Sequence, residues 1–409
     1  MTEIGILGGG ASGLAAAITL KRGNPNLKVT IYEKLDTPGK KILATGNGRC
    51  NLSNANIDIS RYNGDSSLLY TVLKRFDKEE CKDFFHSLGL LLTEEEGRIY
   101  PATMKSESVH SALLNEARRL GIILKCGYTV ETLEKKDNYF LINGSIKADK
   151  IIFSLGGKAA KHLGTDGDGY RIISYLGMRY NPISPALVQL KTKEKTEVKN
   201  MKGARVRGSL TLFSEDSLLK GKEYGEIQFT DYGISGIAAM QLSSEIAVLT
   251  KTERPLLKID FCPKLEDTAL LSYLREQQSK MYGEPSIHLV TGILQEKVAE
   301  TLLIKAGLMK KNVEDLSLQD LANLVEIIKG FKLTLTGTKN FKEAQVTRGG
   351  VPANELKEKS LESKTVPGLY FTGEILDVDG FCGGYNLHFA WGSGITAAEE
   401  LLKSMEENK

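Results

Sequence analysis

Two short apolar runs with a helical stretch between them open the chain. Glu3-Ile4-Gly5-Ile6-Leu7 reads as a strand, Leu14 to Lys21 as an Ala-rich helix, and Lys28-Val29-Thr30-Ile31-Tyr32 as a second strand. Such a βαβ unit, about 30 residues long, predicts a parallel sheet. Residues 39–56 are rich in Gly and Asn and lack a period, which predicts a long ordered loop. Residues 68–90 and 106–121 carry apolar positions at helical spacing, and residues 122–153 break into strand-like runs. Near Pro182 and Pro185 the texture changes. Alternating segments such as Gly208-Ser209-Leu210-Thr211-Leu212-Phe213 predict a small antiparallel β unit over about 189–263, and a Lys-, Glu- and Leu-rich helical pattern follows over about 264–330. After Lys339 the Gly-rich strand texture returns and ends in a helix from about Ser393 to Met405. The expected organisation is a nucleotide-binding domain in two pieces, 1–188 and 339–409, interrupted by an insertion at 189–338.

The turn after the first strand carries chemistry. Gly8-Gly9-Gly10-Ala11-Ser12-Gly13 is GxGxxG, between a strand and a helix. Gly8 permits the tight turn, Gly10 lets the backbone approach a pyrophosphate, and Gly13 lets the helix pack on the strand. The amides at the helix start, around Ala11 and Ser12, then face the phosphates. Glu33 lies 20 residues past Gly13, where a carboxylate accepts both hydroxyls of an adenosine ribose and disfavours a 2′-phosphate. FAD and NAD both satisfy this fingerprint.

The C-terminal piece favours FAD. Val366-Pro367-Gly368-Leu369-Tyr370-Phe371-Thr372-Gly373-Glu374 reads as a turn, a strand and a Gly-acid pair, and Gly383-Gly384-Tyr385-Asn386 precedes a helix. FAD is longer than one mononucleotide half-site, so its ribitol and isoalloxazine need a hold beyond the first βαβ unit. Glu374 suits the ribitol hydroxyls. A helix start near Gly384 suits negative charge on the N1–O2 edge of reduced flavin. The strand-turn from Ile151 through Gly156 and Gly157 is a third piece of such a site.

Composition adds limits. A length of 409 residues predicts two to three domains, and 41% hydrophobic with 26% charged residues fits a folded globular chain. Lys plus Arg is 54 and Asp plus Glu is 51, so the net charge of +3 announces neither a nucleic-acid nor a membrane partner. Residues 190–222 depart from that balance, with nine basic and four acidic residues; this run reads as a solvated face or as a patch for RNA phosphates. The five cysteines are odd in number and form no CxxC, which predicts free thiols in a reducing compartment and no zinc site. Ile4 to Leu20 is uncharged but lacks a positive n-region and is interrupted by glycines, so it reads as fold rather than leader. A cytoplasmic protein without a membrane partner is expected.

Several segments together resemble the BaiN/RdsA family of flavoproteins, known as NAD(FAD)-utilizing dehydrogenases. They are Gly8–Gly13, the Gly39–Asn51 segment with Gly46-Asn47-Gly48-Arg49-Cys50-Asn51, Thr165–Tyr170, Gly225–Thr230, Thr347-Arg348-Gly349-Gly350-Val351, and Gly368–Gly394. The resemblance implies an α/β fold: a Rossmann-type, glutathione-reductase-like FAD-binding domain interrupted by a β-barrel-like plus helical insertion. It implies non-covalent FAD and hydride addition to an activated C=C, either in a small molecule such as an oxo-bile acid or in a uridine of ribosomal RNA. A flavin-binding module without turnover is the remaining alternative. Phe229-Thr230-Asp231 and Gly233-Ile234-Ser235-Gly236-Ile237 depart from the family's FTH and GISGP patterns, within the insertion. No second GxGxxG occurs, so NAD(P)H is expected to dock transiently as electron donor, unless another donor serves.

Cofactor contacts are thus expected from Gly8, Gly10, Ala11, Ser12, Gly13, Glu33, Lys34, Lys40, Lys41, Gly48, Arg49, Cys50, Asn51, Val130 (through its backbone), Gly156, Gly157, Gly373, Glu374, Gly384, Tyr385 and Asn386. Asn51 and Asn47 suit flavin edges or turn caps equally. Hydride addition to a C=C also needs a proton on the neighbouring carbon, from a general acid within hydrogen-bond reach. The candidates are Cys50, Tyr385 and Tyr232, with Cys382 and His388 behind them. A buried free cysteine is also ordinary packing. Arg348 reads as an anion anchor or as a surface residue.

Overall fold

The structure, a computed structural model, describes residues 1–250 and 252–407; the last two residues of the expected 339–409 piece lie outside the described residues. The chain forms two compact units. Met1–Ser184 joins with the chain from Gln345 to make the first, and Pro185–Ala344 makes the second. The expected insertion, residues 189–338, falls inside the second unit.

In the first unit five parallel strands lie in the spatial order Leu369–Phe371, Lys150–Phe153, Glu3–Leu7, Lys28–Tyr32, Ile123–Lys125. The first strand of the chain is central. Its successors build outward on one side, and then the order reverses to the other side, which is the doubly wound arrangement. Ile4, Ile6 and Leu7 are all fully buried, as expected for a parallel strand covered on both faces. The crevice of such a sheet opens where the order reverses, at the carboxyl ends of Glu3–Leu7 and Lys150–Phe153.

Both key helices start earlier than the apolar pattern predicts. The first runs Ala11–Gly23 and the last Tyr385–Glu407. Gly392-Ser393-Gly394 resembles a helix breaker but is a contact surface. A Cβ at Gly394 would lie 2.3 Å from the Ser12 carbonyl oxygen, so its glycine lets the last helix touch the first. The expected loop at 39–56 holds a short helix, Lys40–Ala44, a 3-10 turn, Thr45–Gly48, and a two-residue strand, Ser53–Asn54. The helical stretch at 68–90 is two helices, Ser66–Leu73 and Lys78–His86; the second starts at an Asp77–Glu80 capping box.

His388 on the last helix is fully buried. Its Nε2 donates to the Phe76 carbonyl oxygen at 2.9 Å, so Nδ1 accepts from the Ser53 hydroxyl at 2.8 Å. Burial holds its pKa down at about 4. His388 is therefore a neutral structural histidine, not a proton donor. Its folded pKa lies below the unfolded value near 6.5, so its contribution is complete above that value and is lost as pH falls from about 6.5 toward 4. Fully expressed, the loss is about 3 kcal/mol. His388→Gln should flatten the fall in melting temperature between pH 7 and pH 4.5, measured by thermal denaturation.

Among the described residues of the second unit, six strands close a barrel in the order Leu190–Thr192, Gly233–Ser235, Leu219–Phe229, Arg205–Phe213, Leu256–Asp260, Phe331–Thr338. The helices Asp267–Lys280, His288–Thr291, Glu296–Ala306 and Leu318–Lys329 come before the last of these strands. The expected β unit thus stopped one strand short. Phe331, Leu333 and Leu335 alternate inward and close the barrel after the helical stretch. No helix among the described residues is long and apolar enough to cross a membrane.

Candidate functional site

The glycines of the first turn divide their work by geometry. Gly8 has φ +98, and a Cβ there would lie 2.4 Å from the Ser154 carbonyl oxygen. A Cβ at Gly13 would lie 2.1 Å from the Gly8 carbonyl oxygen, so this glycine sets the packing of helix on strand. A Cβ at Gly10 would meet nothing within 4 Å. Internal packing therefore gives no reason for glycine at Gly10; space for a ligand does. Gly10 caps the first helix with no side-chain hydrogen bond, and its first turn holds no acidic residue. The free amides and the positive helix end suit a phosphate.

Beside this cradle, Glu33 at the end of the second strand is buried. Its carboxylate accepts from the amides of Gly9 at 2.9 Å and Leu35 at 2.8 Å. Both oxygens keep a further lone pair for hydroxyl donors. The Lys34 ammonium, expected at the cofactor, bonds Asp166 at 2.7 Å and lies 3.6 Å from Asp168. Lys34, Asp166, Tyr32, Tyr128, Val130 and Leu155 line one narrow cleft. Val130 thus borders a space next to the Glu33 strand.

The C-terminal piece meets the same crevice. Lys41 bonds Glu374 at 2.5 Å, and the other Glu374 oxygen accepts from the Thr347 amide at 2.8 Å. The Thr347 hydroxyl accepts from the amides of Lys158 at 2.8 Å and Ala159 at 3.1 Å. A Cβ at Gly157 would fall 2.4 Å from that hydroxyl and 2.6 Å from Glu374. Gly156, at φ +72, turns the chain beside Thr165. Gly373 donates its amide to Ser393 at 2.9 Å, and a Cβ there would meet the Ser12 hydroxyl at 2.5 Å. Lys41, Glu374, Gly157 and the first helix thus gather around one place. Thr347 ties them, a role that nothing in its local sequence signals.

The Lys40–Asn51 segment bears on several expectations. Cys50 is fully buried in the core, and burial pushes its thiol up to about 12. A thiol with no exposed surface packs as core, which does not favour the proton-donor and flavin-contact roles expected for Cys50. Lys40 pairs with Asp36 at 2.6 Å. Arg49 lies with its guanidinium 4.9 Å from the Tyr100 ring centroid and 3.7 Å from Glu95. A Cβ at Gly48 would meet nothing within 4 Å. Asn51 is buried, and its Oδ1 has no hydrogen-bond partner. A Cβ at Gly384 would lie 2.7 Å from that oxygen. An orphaned buried acceptor beside Gly384 suits a donor on a bound ligand.

Asn386 is a structural clamp, against expectation. Its side-chain amide bonds both the amide of Gly380 at 2.8 Å and its carbonyl at 2.7 Å. Tyr385 is different. Its carbonyl accepts from the Tyr62 hydroxyl at 3.2 Å, while no hydrogen bond engages its own phenol among the described residues. Burial pushes that phenol up in pKa; Arg61 and Arg98 pull it down, and Asp58 raises it. Tyr62, Arg61 and Arg98 carried no motif and escaped the sequence. Tyr232 belongs to the second unit, where the Lys339 ammonium sits 4.0 Å from its ring centroid. Among the described residues, no group of His, Cys, Asp and Glu could hold a metal ion.

Comparison with known proteins agrees with this architecture. The chain is 39% identical over 404 residues to a 3-dehydro-bile acid delta(4,6)-reductase of Clostridium scindens, covering 97% of this chain and 98% of that protein. It is 26% identical over 403 residues to a ribosomal RNA dihydrouridine synthase of Escherichia coli, covering 97% of each. It is also 26% identical over 409 residues to the Haemophilus influenzae protein of that name, covering 97% of this chain and 98% of the other. The model of the HI0933-like protein Rossmann domain matches residues 2–400. With that match over nearly its full length, the chain belongs to the HI0933-like Rossmann family.

Proposed function

We propose that this chain binds FAD without a covalent link and reduces an activated carbon–carbon double bond of a small-molecule enone, of the oxo-bile acid or steroid kind, with NAD(P)H as transient donor. The observation that carries this reading is the 39% identity, across nearly the whole of both chains, to an enzyme named for reducing such a bond. The open face at Gly10 and the orphaned Asn51 oxygen support the cofactor. When bound, FAD supplies hydride from its reduced ring.

The chain's own residues do the rest. The amides around Ala11, Ser12 and Gly13 bind the pyrophosphate, and Glu33 takes the ribose. The Val130 backbone borders the adenine. Glu374, oriented by Lys41, bonds the ribitol, and Gly156, Gly157, Gly373 and Gly384 let the protein segments around the site pack closely on one another. Asn51 accepts from the ring edge. Tyr385 hands its phenolic proton to the carbon beside the one that receives hydride, and regains it from solvent.

A second reading is favoured by the two relatives named ribosomal RNA dihydrouridine synthases. It keeps the chemistry and makes a uridine the acceptor. Purified protein should be yellow and should bleach anaerobically with NADH or NADPH. Return of the oxidised spectrum with a steroid enone, and not with ribosomal RNA, is the expected result. Return with RNA alone selects the second reading, and return with neither leaves a flavin module without turnover.

A further inference from the structure

Three segments of the first unit converge on Tyr385. Asn54, in the Ser53–Asn54 strand, pairs with Arg98 of the Arg98–Pro101 strand and donates its side-chain amide to the Gly383 carbonyl at 2.9 Å. Arg61 accepts the Phe381 amide at its carbonyl at 3.0 Å, and the next residue, Tyr62, pairs with Gly380. These bonds fix the backbones of Arg61, Arg98 and Tyr385 against one another, with both guanidinium charges close enough to act on the phenol.

Neither Arg61 nor Arg98 forms an ion pair among the described residues. Arg98 is half-buried and lines an open cleft of about 480 Å³ with Arg49, Glu95, Glu96 and Tyr100. The acids there form no ion pair with it, although Glu95 stands opposite Arg98 across the strand pair. Glu95 lies against Arg49, Glu96 is exposed, and Asp58, near Arg61, spends Oδ1 on the Ser60 amide at 2.9 Å. A half-buried guanidinium without an ion pair has lost hydration that no carboxylate within hydrogen-bond range replaces. Its planar donor fork matches a carboxylate in two hydrogen bonds.

Resting on the reductase reading, we propose that Arg98, assisted by Arg61, anchors a carboxylate on the tail of the enone substrate and so sets the reach from that tail to the bond reduced beside Tyr385. The anchor makes the preferred substrate an acidic enone and places Arg98 as a specificity-determining residue. An RNA phosphodiester offers a similar anion, but the cleft's two glutamates oppose a polyanion while tolerating one carboxylate.

The test uses the flavin-loaded protein, a steroid enone with a side-chain carboxylate, and its methyl ester. Binding is read by calorimetry and turnover by NAD(P)H consumption. The acid should bind about 10- to 100-fold more tightly than the ester. Arg98→Ala should bring the two together, and Arg98→Lys should restore part of the difference. Equal binding of acid and ester to the unaltered protein overturns the anchor. So does an Arg98→Ala variant that weakens both compounds alike, or a ribosomal RNA fragment that competes for the cleft in an Arg98-dependent way. If the acid preference appears in binding while neither compound is reduced, the anchor stands and the reductase reading falls.

Discussion

Gly10→Val should give a folded protein that purifies colourless, whereas Gly13→Val should give one that is strongly destabilised. The two positions are three residues apart in one motif, yet their surroundings are opposite. A side chain at Gly10 enters empty space, so the fold loses nothing; it fills the volume where a pyrophosphate approaches the helix amides. FAD affinity should fall at least about a hundredfold, equivalent to about 2.8 kcal/mol, measured by titration of the apoprotein with FAD fluorescence. A side chain at Gly13 meets a backbone oxygen at 2.1 Å, which no rotamer relieves. The cost is about 3 kcal/mol, read as a drop in melting temperature with or without FAD. If Gly10→Val retains flavin, the cradle is misassigned.

Tyr385→Phe should leave bleaching by NAD(P)H intact and slow the return of colour with enone by about 10²- to 10⁴-fold. The phenol is the acid near the glycine-rich segment that no hydrogen bond occupies, and phenylalanine keeps its ring packing against Tyr62, 5.6 Å away. Because burial raises its pKa, the acid form persists through neutral pH and past the ordinary phenol value near 10. The rate of the second half-reaction should therefore decline only in strongly alkaline buffer, as the proton is lost. Cys50→Ala is the contrast. It should leave both half-reactions unchanged and cost about 1–2 kcal/mol in stability, the ordinary range for a core truncation. Stopped-flow spectroscopy of the two half-reactions separates these outcomes. An unchanged second half-reaction in Tyr385→Phe removes it as proton donor.

The sequence made the nucleotide half legible because its signals are local. GxGxxG, the flanking strands and Glu33 lie within one βαβ unit, and their spacing alone dictates which atoms meet. The C-terminal Gly373-Glu374 pair was readable as chemistry, but its partners Lys41 and Thr347 were not, since those contacts join distant positions. Side-chain direction was also hidden. Lys40 and Lys41 are adjacent, yet one faces Asp36 and the other Glu374. Cys50 sits in a conspicuous motif, but its φ of +56 and full burial depend on the surrounding core. The barrel's closing strand was missed because helices precede it in the chain, so alternation at Phe331–Leu335 stood alone with no neighbour in sequence to pair with.

One strand at the margin of the parallel sheet, Leu369–Phe371, and the helix lying on the first helix both come from beyond Gln345. During synthesis the leading part of the unit therefore emerges with a raw sheet edge and an uncovered helix. At elongation rates of about 5–20 residues per second, residues 185–344 hold back the missing pieces for roughly ten to thirty seconds. The nascent chain is exposed to chaperones and mispairing for that interval, and coenzyme capture must await emergence of the helix Tyr385–Glu407.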